Sequence, residues 1–342
     1  MAAALPKGSQ AEEVLRNYFL SIGYFVIRGA KFKYAGFDIT DIDLWLYSKN
    51  TSISRERLNV DIKNKKTPQA LERIFWAKGL QNVLKLDGCI VATTDTRQDV
   101  RSFGSLHNVR VLDGNFLSRV IKSSRSQLDR ISEEELVVAL DEGSIGKLAG
   151  DWKGRYEKSK SKLLDSLSFD GCNFWLSEIN YFLEQYIQTK SQNTPALRLV
   201  YLNVSYFLIG LDFVLREQLT LDQEQRASIL NGGFRYGALG KEYADKVTNL
   251  ASELVVSVTH KTELKSLILE VMSEQADSIR AEILSDYLSK LSVLTNLFEL
   301  ARELEDSAFK SEVPALSSLS ASAQSMVMVI LDFFEIDRKK VE

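Results

Sequence analysis

Apolar positions along this chain change their period twice. In residues 10–22, "QAEEVLRNYFLSI", Leu15, Phe19 and Ile22 recur at four- and three-residue spacing, the mark of one buried helix face, and Gly23 ends the run. The period then falls to two. "YFVIRG" is a compact β-prone run, "DITDIDLWLY" alternates strictly, and "LNVDIKNKK" alternates again after a polar loop at residues 48–56. A helix is expected from about Pro68 to Lys85, with Thr67 as its cap, and then a buried strand, "CIVATT". A short helix near residues 97–106, a strand "VRVLD" and a helix beginning near Asn115 complete the series. The order α-β-β-β-α-β, then α-β-α, predicts a mixed sheet flanked by helices.

Beyond residue 122 the helical period returns. The polar stretch "KSSRSQLDRISEE" carries a capping box, Ser132 with Glu135, and the domain boundary is placed there, residues 1–122 before it and 123–342 after. The runs "NFWLSEINYFLEQYIQ", "ALRLVYLNVSYFLIGLDFVLREQL", "KEYADKVTNLASELVVSV" and "ADSIRAEILSDYLSKLSVLTNLFELARELED" all read as helix. "TLDQ", "NGGFRYG" and "SEVPALSS" read as turns between them. "NGGFRYG" could pass for a phosphate loop, but no strand precedes it and no Lys-Ser/Thr follows. No fixed-period repeat is present, and no heptad run is long enough for an extended coiled coil.

Composition narrows the chemistry. The 342 residues are 45% hydrophobic and 26% charged, ordinary values for a globular protein. No membrane span or secretory signal is expected, and with only Cys89 and Cys172 the expected setting is the reducing cytoplasm. Two histidines, His107 and His260, disfavour a multi-histidine zinc site and a serine–histidine triad, so a metal here would be held by carboxylates. The net charge of −3 hides an asymmetry. Residues 1–122 carry 19 Lys and Arg against 12 Asp and Glu, and the remainder carries 24 against 34. A basic half joined to an acidic one predicts that the first half meets a polyanion.

Four residues of the first half can converge. Glu12 falls at the end of the buried stripe of the first helix, with Glu13 further round. Asp41, Asp43, Trp45 and Tyr47 share one strand face, and so do Asp61 and Lys63 on the next strand. If the two strands pair, Asp43 and Asp61 become neighbours whose repulsion a cation relieves. Mg²⁺ takes hard oxygen ligands and suits such a pair, and Lys63 beside it could offset charge developing on a phosphate. Asp41 could help shape this loop, and Gln69 could lie near the site at the start of the next helix.

With Asp43 as the first acid and Asp61-Ile62-Lys63 as the (D/E)xK element, the arrangement resembles the PD-(D/E)xK nuclease superfamily, the restriction-endonuclease-like fold. "KGSQAEEVLRNYFLSIGYFVIRG" is similar to the first helix and strand of archaeal Holliday-junction resolvases, whose helical glutamate precedes a strand glycine by the spacing of Glu12 to Gly23. "CIVATTDTRQDVRSFGSLHNVRVLDGNFLSRVI" resembles the tail of Mrr-like restriction nucleases. The likeness spans residues 7–122. It lacks a proline before Asp43, and its loop between Asp43 and Asp61 is longer than in compact resolvases. The resemblance implies an α/β restriction-endonuclease-like domain followed by an all-α domain. It implies a Mg²⁺-dependent endonuclease, with Mn²⁺ able to substitute, hydrolysing DNA phosphodiesters in restriction, defence or repair, and working as a homodimer. Glu12, Asp43 and Asp61 would hold the metal and, with Lys63, act in catalysis. Arg28, Lys31, Lys33, Lys65 and Lys66 would contact DNA phosphates. The acidic helical half could bind a protein partner. The alternative is a catalytically inactive nuclease-like module that binds nucleic acid or protein, regulated by its helical half.

Overall fold

The computed structural model describes residues 7–123, 129–189 and 193–341. Helix α1 (Lys7–Ser21) leads into β1 (Phe25–Tyr34), β2 (Phe37–Lys49) and β3 (Arg55–Lys63). There follow α2 (Ala70–Val83), β4 (Gly88–Thr93), α3 (Gln98–Leu106), β5 (Val109–Leu112) and α4 (Gly114–Ser123). The strands lie in chain order, β1-β2-β3 antiparallel and β3-β4-β5 parallel. This is the mixed sheet that the periods predict, with β1 and β2 running on to a hairpin turn at Ala35-Gly36. Both turn residues have positive φ, 48° and 86°, the twist that a two-residue hairpin requires. Thr67 and Pro68 do not open α2; the helix starts at Ala70, after Gln69 in a left-handed conformation.

The rest is helical: α5 (Glu133–Gly143), α6 (Trp152–Asp165), α7 (Phe169–Gln188), α8 (Thr194–Val214), α9 (Gln223–Tyr236), α10 (Gly240–Thr259), α11 (Glu263–Ser278), α12 (Ala281–Leu288), α13 (Leu291–Leu294), α14 (Leu297–Phe309) and α15 (Ala321–Phe333). The capping box at Ser132 and Glu135 is formed and opens α5. "NGGFRYG" is not a turn: residues 231–236 lie inside α9, which stops at Gly237. Two consecutive glycines argue for a turn by propensity, but packing overrides it, because a Cβ on Gly233 would stand 2.3 Å from the Phe169 ring. Helix α8 is long and apolar enough to cross a membrane, yet 89% of its most apolar window is buried by other elements, as in a central core helix.

Strand parity sorts the sheet's two faces. Val26, Leu44, Leu46, Leu58, Val60, Ile62, Ile90 and Ala92 form one apolar layer with Leu15 and Phe19 of α1 and Leu117 of α4. On the other face, Cys89 and Val91 pack with Ala70, Ile74 and Ala77 of α2 and Val100 of α3. Phe25, Ile27, Trp45 and Tyr47 share that face but are covered by the helical remainder, within one core that reaches Tyr206, Leu300 and Ile330. Gly29, at φ 64°, lies between the Arg28–Leu44 and Ala30–Ile42 pairs. Past it the parity changes, and Ala30 and Ile42 join the core of the helical remainder.

Buried charges join the two halves. Arg16 of α1, 1% exposed, donates to Glu305 of α14 at 2.8 Å, and Arg130 donates to the same carboxylate at 2.8 Å. Arg28 of β1 donates to Glu12 at 3.0 Å, to Glu13 at 3.1 Å and, through both terminal nitrogens, to Glu134 of α5 at 2.8 Å. Asp212 of α8 accepts from Tyr47 at 2.6 Å and pairs with Arg55. Deleting one partner of a buried pair strands the other charge. Glu305→Ala, which leaves Arg16 to Glu13 and Glu133 and Arg130 to Asp306, removes the shared and most buried carboxylate and should cost about 3 kcal/mol in urea unfolding. Sheet and helix signals should move together. A loss below about 1 kcal/mol, the scale of an exposed pair, would mean that these ions do not tie the halves.

Candidate active site

The sheet forks at its centre. The β2–β3 ladder ends at the Leu44–Val60 pair. Before Leu44, β2 continues with β1 alone, out to the Tyr34–Phe37 pair. After Val60, β3 continues with β4 alone, through the Asp61–Val91, Ile62–Ala92 and Lys63–Thr93 pairs. Asp43 stands where the ladder breaks, and its carboxylate accepts the Ile62 N–H at 2.6 Å. A side chain thus takes the donor that the separating strand leaves unpaired, which satisfies the buried amide and holds the fork open. Asp61 and Lys63 project from the other arm, on the face carrying Asn59, whose amide donates to the Ala77 carbonyl of α2 at 3.2 Å.

Charge at the fork is unbalanced. Burial pushes the Asp43 carboxyl up to about 6 against the opposing Ile62 hydrogen bond; Asp61 and Glu12 push it further and Lys63 opposes them. The other three sequence-predicted catalytic residues therefore all bear on Asp43. Asp61, 7% exposed, carries its own counterion: Arg73 of α2 donates from Nε at 2.7 Å and from a terminal nitrogen to the second oxygen. Arg73 escaped the sequence reading. It sits among Ala70, Ile74 and Ala77, so an arginine on the buried stripe of α2 is the signal that could have found it. Lys63 is half-buried and forms no ion pair among the described residues.

The other sequence candidates fall into two groups. Lys65 and Lys66 are exposed just past β3. Arg28, in contrast, does not face solvent; it is 5% exposed and held by Glu12, Glu13 and Glu134, because an interior guanidinium needs carboxylates around it. Lys31 pairs with Glu157 of α6 at 2.8 Å and Lys33 with Asp38 at 2.9 Å. Asp41 and Gln69 are exposed. The charge asymmetry between the halves is thus in large part matched inside the molecule.

Among the described residues no three His, Cys, Asp or Glu side chains gather as a metal site. The donors at the fork nonetheless fit Mg²⁺, which takes one or two carboxylates and keeps its waters. Asp43, half-buried and without an ion pair among the described residues, has the electrostatic demand that a divalent ion meets, and Arg73 meets that demand at Asp61. Comparison with protein-family models, curated proteins and solved structures finds no match for this chain.

The raised Asp43 carboxyl has a measurable consequence. Between pH 4 and 6 the folded protein keeps a proton there that the unfolded chain has lost, so stability falls as pH rises through about 6. The shift of roughly two units corresponds to about 3 kcal/mol by pH 8. Asp43→Asn, which keeps an acceptor for Ile62, should be more stable than the parent by about 2–3 kcal/mol at pH 8 and lose that advantage near pH 4. Equal unfolding midpoints at pH 8 would show Asp43 to be an ordinary solvated carboxylate.

Proposed function

We propose that the chain is a Mg²⁺-dependent endonuclease that hydrolyses DNA phosphodiesters at the β2–β3 fork, and that it serves in restriction, defence or repair. The observation that carries this reading is one of cost. A folded protein holds the Asp43 carboxylate half-buried near Asp61 and Glu12, where ionisation costs more than it does in water. Unfavourable charge of this kind concentrates at functional sites. Asp43 and Asp61 would hold the ion, with Glu12 close by. A bound Mg²⁺ would supply positive charge at the phosphodiester and an acidic water. Lys63, unpaired beside the carboxylates, would offset negative charge growing on the phosphate oxygens. Lys65 and Lys66 would meet the flanking phosphates, where compact ammonium groups contribute affinity without sequence choice.

Arg73 favours a second reading. A guanidinium already saturating Asp61, with Arg28 on Glu12, suits an inactive module whose carboxylates only brace α2 and β1. The two readings differ in how Arg73 and metal compete. If the ion must displace Arg73, then Arg73→Ala should bind Mn²⁺ about tenfold tighter by calorimetry, one pairing energy of about 1.4 kcal/mol. Its melting temperature should then rise further on adding Mn²⁺ than the parent's does. Unchanged Mn²⁺ affinity in Arg73→Ala, together with no binding by the parent, would favour the inactive module.

Cleavage decides the activity itself. Supercoiled plasmid should be nicked or linearised with Mg²⁺ or Mn²⁺ and left intact with EDTA. Lys63→Ala should fold and bind DNA nearly as before while cutting roughly 100-fold more slowly at saturating DNA. Lys65→Ala and Lys66→Ala should instead weaken binding and each reduce the salt slope by about 1. If the three substitutions slow cutting alike, Lys63 is one more surface lysine and its catalytic role fails.

A further inference from the structure

Helix α10 turns its largest apolar side chains away from its own chain. Toward α9 and α11 it presents small residues: Ala244 and Thr248, half-buried, and Ser252, fully buried. Outward it presents Tyr243, Val247, Leu250, Leu254 and Val258, between 49% and 75% exposed. At about 100° per residue these five fall within an arc of roughly 80°. The stripe is about 22 Å long at 1.5 Å per residue. A surface helix ordinarily buries such a stripe and exposes its small and polar residues. Single exposed leucines are commonplace, but a continuous row of five marks an interface.

We propose that this stripe is a homodimer interface, in which α10 packs antiparallel against α10 of a second copy, about a two-fold axis at Leu250. The row is self-complementary in that direction. With Leu250 facing Leu250, Val247 meets Leu254 of the second copy and Tyr243 meets Val258, so apolar side chains oppose one another along the whole stripe. The charges at its margin agree. Lys246 stands about as far before the axis as Glu253 stands after it, so each lysine faces the carboxylate of the other copy. A parallel pair would carry the Lys246 and Glu253 flanks of the two copies to opposite sides of the seam, where they do not meet. Glu253 also accepts from Lys265 of α11 at 2.9 Å, which holds it half-exposed at the margin of the stripe. An isologous contact of this kind is what two-fold symmetry requires. A bilayer surface is a poorer occupant. Residues 240–278 carry four lysines against seven acidic side chains, a balance that anionic lipid repels. The stripe is separate from the fork, so either reading can fail without the other.

The chain of residues 1–342 should sediment as a dimer at micromolar concentration. Leu250→Glu and Leu254→Glu should sediment as monomers with unchanged circular dichroism, because both side chains are exposed within one copy. Leu106→Glu, on α3 and 77% exposed, should leave the dimer intact. Cysteine cross-linking reads the direction, since Cys89 and Cys172 are buried. Under oxidised glutathione, Leu250→Cys should form a covalent dimer. Val258→Cys should not, because its two copies would lie about 24 Å apart along the seam, far beyond the roughly 7 Å that a disulfide spans between Cα atoms. Mixing Tyr243→Cys with Val258→Cys should join one of each. A monomeric parent, a dimer indifferent to Leu250→Glu, or Val258→Cys linking as fast as Leu250→Cys would overturn the proposal.

Discussion

Arg16 and Arg28 are the constraint on which the arrangement of the rest depends. Each is buried where a helix or strand of the sheet layer meets the helical layer, and each is held there by carboxylates that include one from the far side. Glu305 on α14 and Glu134 on α5 supply them. Hydrophobic burial alone would let helices slide over the β1–β2 face, since Phe25, Ile27 and Trp45 are nearly direction-free in what they accept. Ion pairs with fixed donors are not. They register α5 and α14 against α1 and β1, and Asp212 does the same for α8 through Tyr47 and Arg55.

That registration reaches the fork. Arg28 lies directly before Gly29, the residue of positive φ beside Asp43, and Glu12 is bound to the Arg28 guanidinium. The network that locks the layers therefore also fixes one arm of the fork and one of its acids. The other arm is fixed through α2, where Asn59 reaches Ala77 and Asp61 reaches Arg73. Asp43 is suspended between the two, bonded to neither layer but to the Ile62 amide of the departing strand. Half-buried and without an ion pair among the described residues, it is a carboxylate whose burial no bonded cation offsets.

Much of this was legible in the chain. The change of period from helical to two and back located the five strands, and period-two parity set Asp61 and Lys63 on one face. Pairwise reading of "DITDIDLWLY" with "LNVDIKNKK" brought Asp43 and Asp61 together, although a regular ladder would have made them simple cross-strand partners. What broke the ladder was a long-range fact: β3 turns from β2 toward β4, thirty residues later in the sequence. Likewise "NGGFRYG" reads as a turn until the ring of Phe169 arrives to pack on Gly233. Arg73 was visible only as an arginine misplaced on a buried stripe, and its partner could not be named before α2 was docked.

The clearest limit was charge. Counting showed a basic half and an acidic half, and an excess of cations invites a polyanion. Structure redistributes that excess. Arg16, Arg28, Lys31, Lys49 and Arg55 are answered by Glu305, Glu134, Glu157 and Asp212 from the acidic half. A sum over sequence cannot distinguish charge that faces outward from charge that two layers exchange with each other. What remains unmatched near the fork is narrower and better placed. Lys63 stands beside two carboxylates, and Lys65 and Lys66 follow it into solvent. On the nuclease reading proposed above, the cations left for a phosphate backbone are Lys63, Lys65 and Lys66, a run of the chain that begins two residues after Asp61.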